Sequence, residues 1–242
     1  MLGAFRGCAF RLHCLKATLR APPIPAVLLI AKLVLDEENN MKEFLTYETV
    51  RNNALKLAHK LYFEDAFVPD VIYASLRGGA YMANVISEYY KVALNGKKNI
   101  LYAAVVARSY SDVNSQSAVR VDGWTYSPEY LRQGDKVLIV DDIYDSGLTL
   151  NHLVKIIMEK GISRENIKVA VHDYKLYSYK PVLPIIPDYC CRKIPVPSPD
   201  KNRWINYNSH ELVGLTPEER EQQFYASSPE LKPVLEDAFN SR

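Results

Sequence analysis

Four runs rich in β-branched and aliphatic residues, 68–76, 99–110, 136–140 and 166–175, recur along this chain, and stretches of helical period flank them. The runs are too continuous in apolar character for strands with one face in water, so they suit a sheet buried on both sides. The first helical stretch, 46–64, repeats apolar residues at Val50, Ala54, Leu57, Ala58 and Leu61, with Thr46 and Thr49 as candidate caps. The next, 80–94, ends at Asn95-Gly96, and a third, 148–160, ends at Gly161. Strands separated by helices of this length predict an α/β fold, a doubly wound and mainly parallel sheet with helices on both faces. Residues 111–124, polar and without period, are expected to form a loop. Beyond residue 180 the chain is crowded with prolines, which predicts an irregular or short-stranded C-terminal subdomain closed by one or two helices. The expected organisation is an N-terminal extension over 1–40, a core over 41–180 and the C-terminal subdomain over 181–242.

At 242 residues the chain can bury a sizeable core. Its net charge of +2 hides an asymmetry. Arg6, Arg11, Lys16, Arg20 and Lys32 lie in an acid-free stretch over 1–35, and the remainder holds 25 basic against 28 acidic residues, a net −3. A mildly acidic body argues against a nucleic-acid partner. The four cysteines include no CxxC and no Cys/His spacing suited to zinc, and a reducing compartment is the default. The apolar run 24–35 contains Lys32 and falls short of the roughly 20 residues that a spanning helix needs, so no membrane partner is expected. The basic leader has the composition of a transit peptide, which would make the protein mitochondrial or otherwise organellar. The reading preferred here is that translation opens at Met41 and that the protein is cytoplasmic.

In an open parallel sheet, ligands bind at the carboxyl ends of the strands. The segments to inspect are therefore 75–79 (SLRGG), 108–112 (RSYSD), 141–149 (DDIYDSGLT) and 172–175 (HDYK). In 141–149 a strand runs into Asp141 and Asp142, and then into Asp145, Ser146, Gly147, Leu148 and Thr149, where a helix begins. A glycine turn at a helix start offers free N–H groups and the positive end of the dipole, which is a phosphate site, and Ser146 and Thr149 add hydroxyl donors. The two carboxylates cannot hold that phosphate. They suit sugar hydroxyls, or magnesium bound partly through water. A phosphate pocket beside paired carboxylates describes a ribose 5-phosphate.

The stretch VLIVDDIYDSGLT resembles the phosphoribosyl-pyrophosphate signature of the type I phosphoribosyltransferases, and supporting features extend the resemblance over roughly 45–212. Tyr144 departs from it, standing where the family carries an aliphatic residue, and Ser146 replaces a common threonine. The resemblance implies a small C-terminal hood, magnesium as cofactor, and phosphoribosyl pyrophosphate and a base as substrates, in a homo-oligomer (dimer or tetramer). It assigns Asp141 and Asp142 to the ribose and, partly through water, to the metal, and residues 145–149 to the 5-phosphate. Leu76, Arg77, Gly78 and Gly79 resemble the pyrophosphate loop, in which the peptide before the basic residue is often cis. Arg108 is a further pyrophosphate candidate, and Ser109-Tyr110 resemble the start of the mobile loop that closes over the site.

Asp145 resembles the general acid/base of the 6-oxopurine branch, which includes the hypoxanthine and xanthine–guanine enzymes, and Lys175 the lysine that reads the exocyclic oxygen of the purine. Trp204 would stack on the base, with the backbone around Ile205 reading its 2-position, and Glu211 lies near an acidic metal position, offset by one residue. His172 and His210 read as structural or solvated. The implied activity is purine salvage, the transfer of 5-phosphoribose to hypoxanthine, guanine or xanthine. Its rivals are a transferase for another base and a non-catalytic regulator with the same fold.

Overall fold

The computed structural model describes residues 42–110 and 118–241. The basic leader with its apolar run, Met41, Cys8 and Cys14, and residues 111–117 of the expected loop lie outside the described residues, as do the side chains of Arg108, Ser109 and Tyr110. Eight strands are described: β1 (Glu43–Leu45), β2 (Val71–Leu76), β3 (Leu101–Tyr110), β4 (Ala118–Trp124), β5 (Val137–Tyr144), β6 (Ile167–Tyr177), β7 (Tyr189–Val196) and β8 (Ile205–Tyr207). The longer helices are α1 (Tyr47–His59), α2 (Ala80–Leu94) and α3 (Leu148–Glu159), followed by a short α4 (Pro217–Arg220) and by α5 (Leu231–Asn240). Among the described residues no helix is long and apolar enough to cross a membrane.

β2 to β7 form one sheet in the order β4-β3-β2-β5-β6-β7, parallel throughout except for the antiparallel edge strand β4. Alternate side chains of each strand enter two separate cores. Tyr73, Ile139, Val169 and Val171 meet Leu150, Leu153, Val154 and Ile157 of α3 on one face. Ile72, Ala74, Leu138, Val140 and Ala170 meet Ala54 and Leu57 of α1 and Met82, Ala83 and Ile86 of α2 on the other. Each fully buried aliphatic side chain contributes about 1.5–3 kcal/mol, so this two-sided burial is what requires the unbroken apolar runs. Thr46 caps α1, its hydroxyl accepting from Thr49 N at 3.2 Å, and Asn95 ends α2 in the left-handed conformation (φ 46°).

From β2 the chain winds outward to β3, and from β5 it winds the opposite way to β6. The order reverses between β2 and β5, and a doubly wound sheet opens its ligand crevice at such a point.

Several expectations need correction. Residues 118–124 are strand β4 rather than loop, because Val121 and Trp124 pack on the core and Trp124 meets Tyr73 edge-to-face at 4.8 Å. β5 does not stop at Val140 but carries both aspartates, Asp141 and Ile143 still pairing with Val171 and Asp173 of β6. The boundary at residue 180 also fails for the sheet, since β7 lies beyond it and pairs with β6. Pro195 is tolerated there because an edge strand has no second neighbour to bond. The small subdomain is built from both ends of the described chain: β1 pairs with β8 in parallel, and Leu45, Val50, Ile205 and Tyr207 form its core.

Candidate active site

The loops after β2 and β5 meet across the switch point. The Leu76–Arg77 peptide is cis. A Cβ on Gly78 would fall inside the Asp142 carboxylate, and one on Gly79 would fall on the Val140 carbonyl oxygen. Neither residue needs a left-handed backbone; Gly79 has φ −71°. These glycines are required by space, so that Arg77 and the start of α2 can lie against the two aspartates.

Ser75 donates a side-chain hydrogen bond to Asp141, and Asp142 N donates to Asp141 Oδ1 at 3.0 Å. Burial, with the Asp142 charge adding to it, holds the Asp141 carboxyl well above the usual carboxylate range. Asp142 Oδ2 lies 3.3 Å from His210 Nε2, and the His210 ring stacks on Tyr207 at 5.6 Å. His210, read from the sequence as structural or solvated, thus stands beside Asp142. Its sign was positional only: it follows a short buried strand whose far end lies over the sheet.

Beyond the aspartates the backbone turns at Gly147 (φ 75°), which starts α3 without a side-chain cap. Gly147 offers no side chain to the N–H groups of the first helical turn, of which Leu148 N donates to Ser146 Oγ at 3.4 Å. Asp145 Oδ2 accepts from Lys175 Nζ at 2.9 Å, and its other oxygen accepts from the Tyr177 hydroxyl. Lys175 is 5% exposed and also donates to Asn202 Oδ1 at 2.8 Å. Burial, joined by the bond to Asp145, pushes the Tyr177 hydroxyl upward, so it acts as a donor throughout the ordinary pH range. Tyr177 and Asn202 were missed from the sequence. Tyr177 could have been found from β6 periodicity, since it lies two residues beyond Lys175 on the same side of the strand.

A cavity of about 500 Å³ opens beside this edge, lined by Lys42, Arg77, Trp204, Asn206, His210 and Glu211 among others. Trp204 is 62% exposed, so it is not a core tryptophan, while Ile205 turns into the small subdomain's core. Glu211 Oε2 accepts from Tyr207 N at 3.1 Å, and burial raises its carboxyl. A second cavity, of about 330 Å³, adjoins Asp145, Ser146, Lys175 and Tyr177. The candidates thus gather in two clusters at one sheet edge. Arg77, Trp204 and Glu211 share the first cavity, and Asp145 and Lys175 are joined directly. The backbone of Arg108, Ser109 and Tyr110 is the end of β3, paired with Arg120, Val119 and Ala118.

Behind the site Asp173 is fully buried and accepts from His172 Nδ1 at 3.0 Å, from the Tyr207 hydroxyl and from Arg192. Burial opposes its ionisation, but the bonds from His172 and Arg192 outweigh that and hold it below the usual range. Tyr207 also donates to the Asp142 carbonyl at 3.0 Å, which ties the small subdomain to the strand that carries the aspartates.

The family model described as phosphoribosyl transferase domain matches residues 42–204. Among solved structures the chain is similar to a purine phosphoribosyltransferase from Pyrococcus horikoshii, at 23% identity and a TM-score of 0.52, over 72% of this chain and 97% of that one. A hypothetical protein from Neisseria gonorrhoeae with bound ppGpp aligns at 23% identity and 0.52, over 72% and 93%. A hypoxanthine phosphoribosyltransferase from Staphylococcus aureus aligns at 20% and 0.50, over 66% and 81%. No curated protein matches the chain.

Proposed function

The chain belongs to the phosphoribosyl transferase domain family, and on that premise we propose that it transfers 5-phosphoribose from phosphoribosyl pyrophosphate to N9 of a 6-oxopurine. The observation that carries this reading is the Asp145–Lys175 pair, held at 2.9 Å beside the phosphate-type turn. A lysine donor suits a 6-oxo group and a carboxylate suits the proton at N7, a pairing that neither adenine nor orotate matches. Two of the similar solved structures are named as purine and hypoxanthine phosphoribosyltransferases, which agrees with this choice.

In this reading the turn at 145–149 holds the 5-phosphate, and Asp141 and Asp142 take the ribose hydroxyls. Arg77 and the N–H groups of 76–79 face the pyrophosphate, with Arg108 as a further cation. Purine N9 bonds to C1 of the ribose as the C1–oxygen bond breaks, and pyrophosphate leaves with the electron pair. Asp145 accepts the proton given up at N7, while Lys175 steadies the negative charge gathering on the 6-oxygen. Trp204 would stack on the base, and the Ser109–Tyr110 end of β3 would cover the reacting centre against water.

Among the described residues no three His, Cys, Asp or Glu side chains converge to hold a metal alone. Magnesium takes one or two carboxylates together with substrate phosphates and water, so Asp141 and Asp142 fit a magnesium ion arriving with pyrophosphate. When bound it would neutralise charge on the departing group. Glu211, already accepting from Tyr207 N, is the less suited third ligand.

The test is an assay of pyrophosphate release with phosphoribosyl pyrophosphate, magnesium and each of hypoxanthine, guanine, xanthine, adenine and orotate. Release is expected with the 6-oxopurines alone, falling about a hundredfold or more in Asp145→Asn and Lys175→Met. Preference for adenine or orotate would sink the purine assignment. No release with any base would leave the regulator.

A further inference from the structure

The turn read as the 5-phosphate loop rests on Tyr144, the one position of the motif that departs from the family with a larger side chain. Tyr144 is the last residue of β5 and is 5% exposed. Its ring fills the space under Gly147: a Cβ there would fall on the ring's Cζ and hydroxyl. Its hydroxyl donates to the Ile185 carbonyl at 2.7 Å. The Asn151 amide nitrogen, one turn into α3, lies 3.1 Å from that hydroxyl, 3.0 Å from the Gly147 carbonyl and 2.7 Å from the Ile185 carbonyl. The Asn151 side-chain oxygen accepts from Ile185 N at 3.0 Å, so its amide pairs with residue 185 as a strand neighbour would. On its other side the Tyr144 ring meets Tyr174 edge-to-face at 5.1 Å.

The arrangement encloses Gly147 from beneath by the ring, from its carbonyl by Asn151, and from outside by the segment around Ile185. N–H groups that bind an anion do so well only when they are already aimed, because otherwise binding must order the loop.

We propose that Tyr144, clamped by Asn151 and Ile185, is the positioning residue of the 5-phosphate loop, holding Gly147 in its left-handed turn so that the N–H groups of 147–149 converge on the phosphate. This rests on the phosphoribosyl-transfer reading above. Tyr144 touches no reacting atom. It acts through Gly147, and it concerns only ligands that carry the 5-phosphate.

That restriction supplies the test. In Tyr144→Leu, KM for phosphoribosyl pyrophosphate, and for the nucleoside monophosphate in the reverse direction, is expected to rise about tenfold, with KM for pyrophosphate and for the base within about twofold of wild type. Tyr144→Phe, which keeps the ring, is expected to rise less. A merely structural role would lower the active fraction for every substrate and leave the KM values alone. If Tyr144→Leu fails to fold, Tyr144→Phe and Asn151→Ala carry the same comparison. KM values that stay at wild type, or that all rise together, overturn the proposal. Calorimetric titration with ribose 5-phosphate separates the two failures. A wild-type protein that neither binds it nor turns over phosphoribosyl pyrophosphate sinks the transferase reading and this inference with it. A wild-type protein that does both, beside unchanged variants, sinks this inference alone.

Discussion

Asp141 and Asp173 sit near the carboxyl ends of adjacent strands, within two rungs of one ladder, yet they are opposite in chemistry. Asp173 is saturated with donors from His172, Arg192 and Tyr207, and its carboxyl is held below the ordinary range. Asp141 has Ser75 and the Asp142 N–H, faces the Asp142 charge, and is held above it. The first is an ion pair whose carboxylate is fully satisfied, although the Arg192 Nη2 is left without a hydrogen-bond partner, and it joins β6, β7 and β8. The second is a like-charge pair whose repulsion a proton relieves, as would hydroxyl donors or a cation in the proposed function. The contrast is also one of partners, since Asp173 is paired with Arg192, which reaches on to Glu43 of β1, whereas the charge beside Asp141 is that of another carboxylate, Asp142.

Substitution should separate the two sites cleanly. In Asp141→Asn, kcat/KM for phosphoribosyl pyrophosphate is expected to fall about a thousandfold, while the thermal midpoint holds or rises because a like-charge contact is gone. A parallel loss of stability would break the comparison. Asp173→Asn should do the reverse: stability measured in urea falls by about 3 kcal/mol because Arg192 loses the buried one of its two carboxylate partners and keeps only Glu43, while activity per folded molecule changes far less. The pH dependence follows from the sign of the Asp173 shift. Its folded pKa lies below the unfolded value of about 3.9, so its stabilisation is fully present above that value and is lost as pH falls through the folded pKa. Wild type should therefore lose stability more steeply than Asp173→Asn below about pH 4, as acid titrations of both would measure. The smallest effect is expected for Tyr207→Phe, which removes the bonds to Asp173 and to the Asp142 carbonyl. It should cost about 1 kcal/mol of stability, with a modest rise in KM for phosphoribosyl pyrophosphate.

Much of this was legible in the chain, and what was missed has a common cause. The helices α1, α2 and α3 could be read because each carries a strong 3.6-residue period between chemical stops. The strands β2, β3, β5 and β6 could be read because two-sided burial demands apolar runs. The strands β1 and β8 were missed because three residues carry no period, and β7 because its prolines resemble breakers until an edge position excuses them. β4 left a usable trace, valines at alternate positions in 118–124, masked by the polar residues between them. The pyrophosphate-loop glycines were identified, but for the anion's sake, whereas their tightest constraint is the neighbouring aspartate strand.

The fold class, the order of the main strands and helices along the chain, and the motif at 141–149 are all readable from the residues alone, because period, burial and a helix start act over a few neighbouring residues. Which carboxylates meet donors and which meet another carboxylate depends on how the strands and the small subdomain come together. The tertiary structure alone put His210 on Asp142 and Tyr177 on Asp145, and set Tyr144 beneath Gly147 with Ile185 as its anchor. The His210–Asp142, Tyr177–Asp145 and Tyr144–Ile185 pairings join residues 32 to 68 positions apart. No local pattern encodes which side chain will stand opposite another once the sheet has closed.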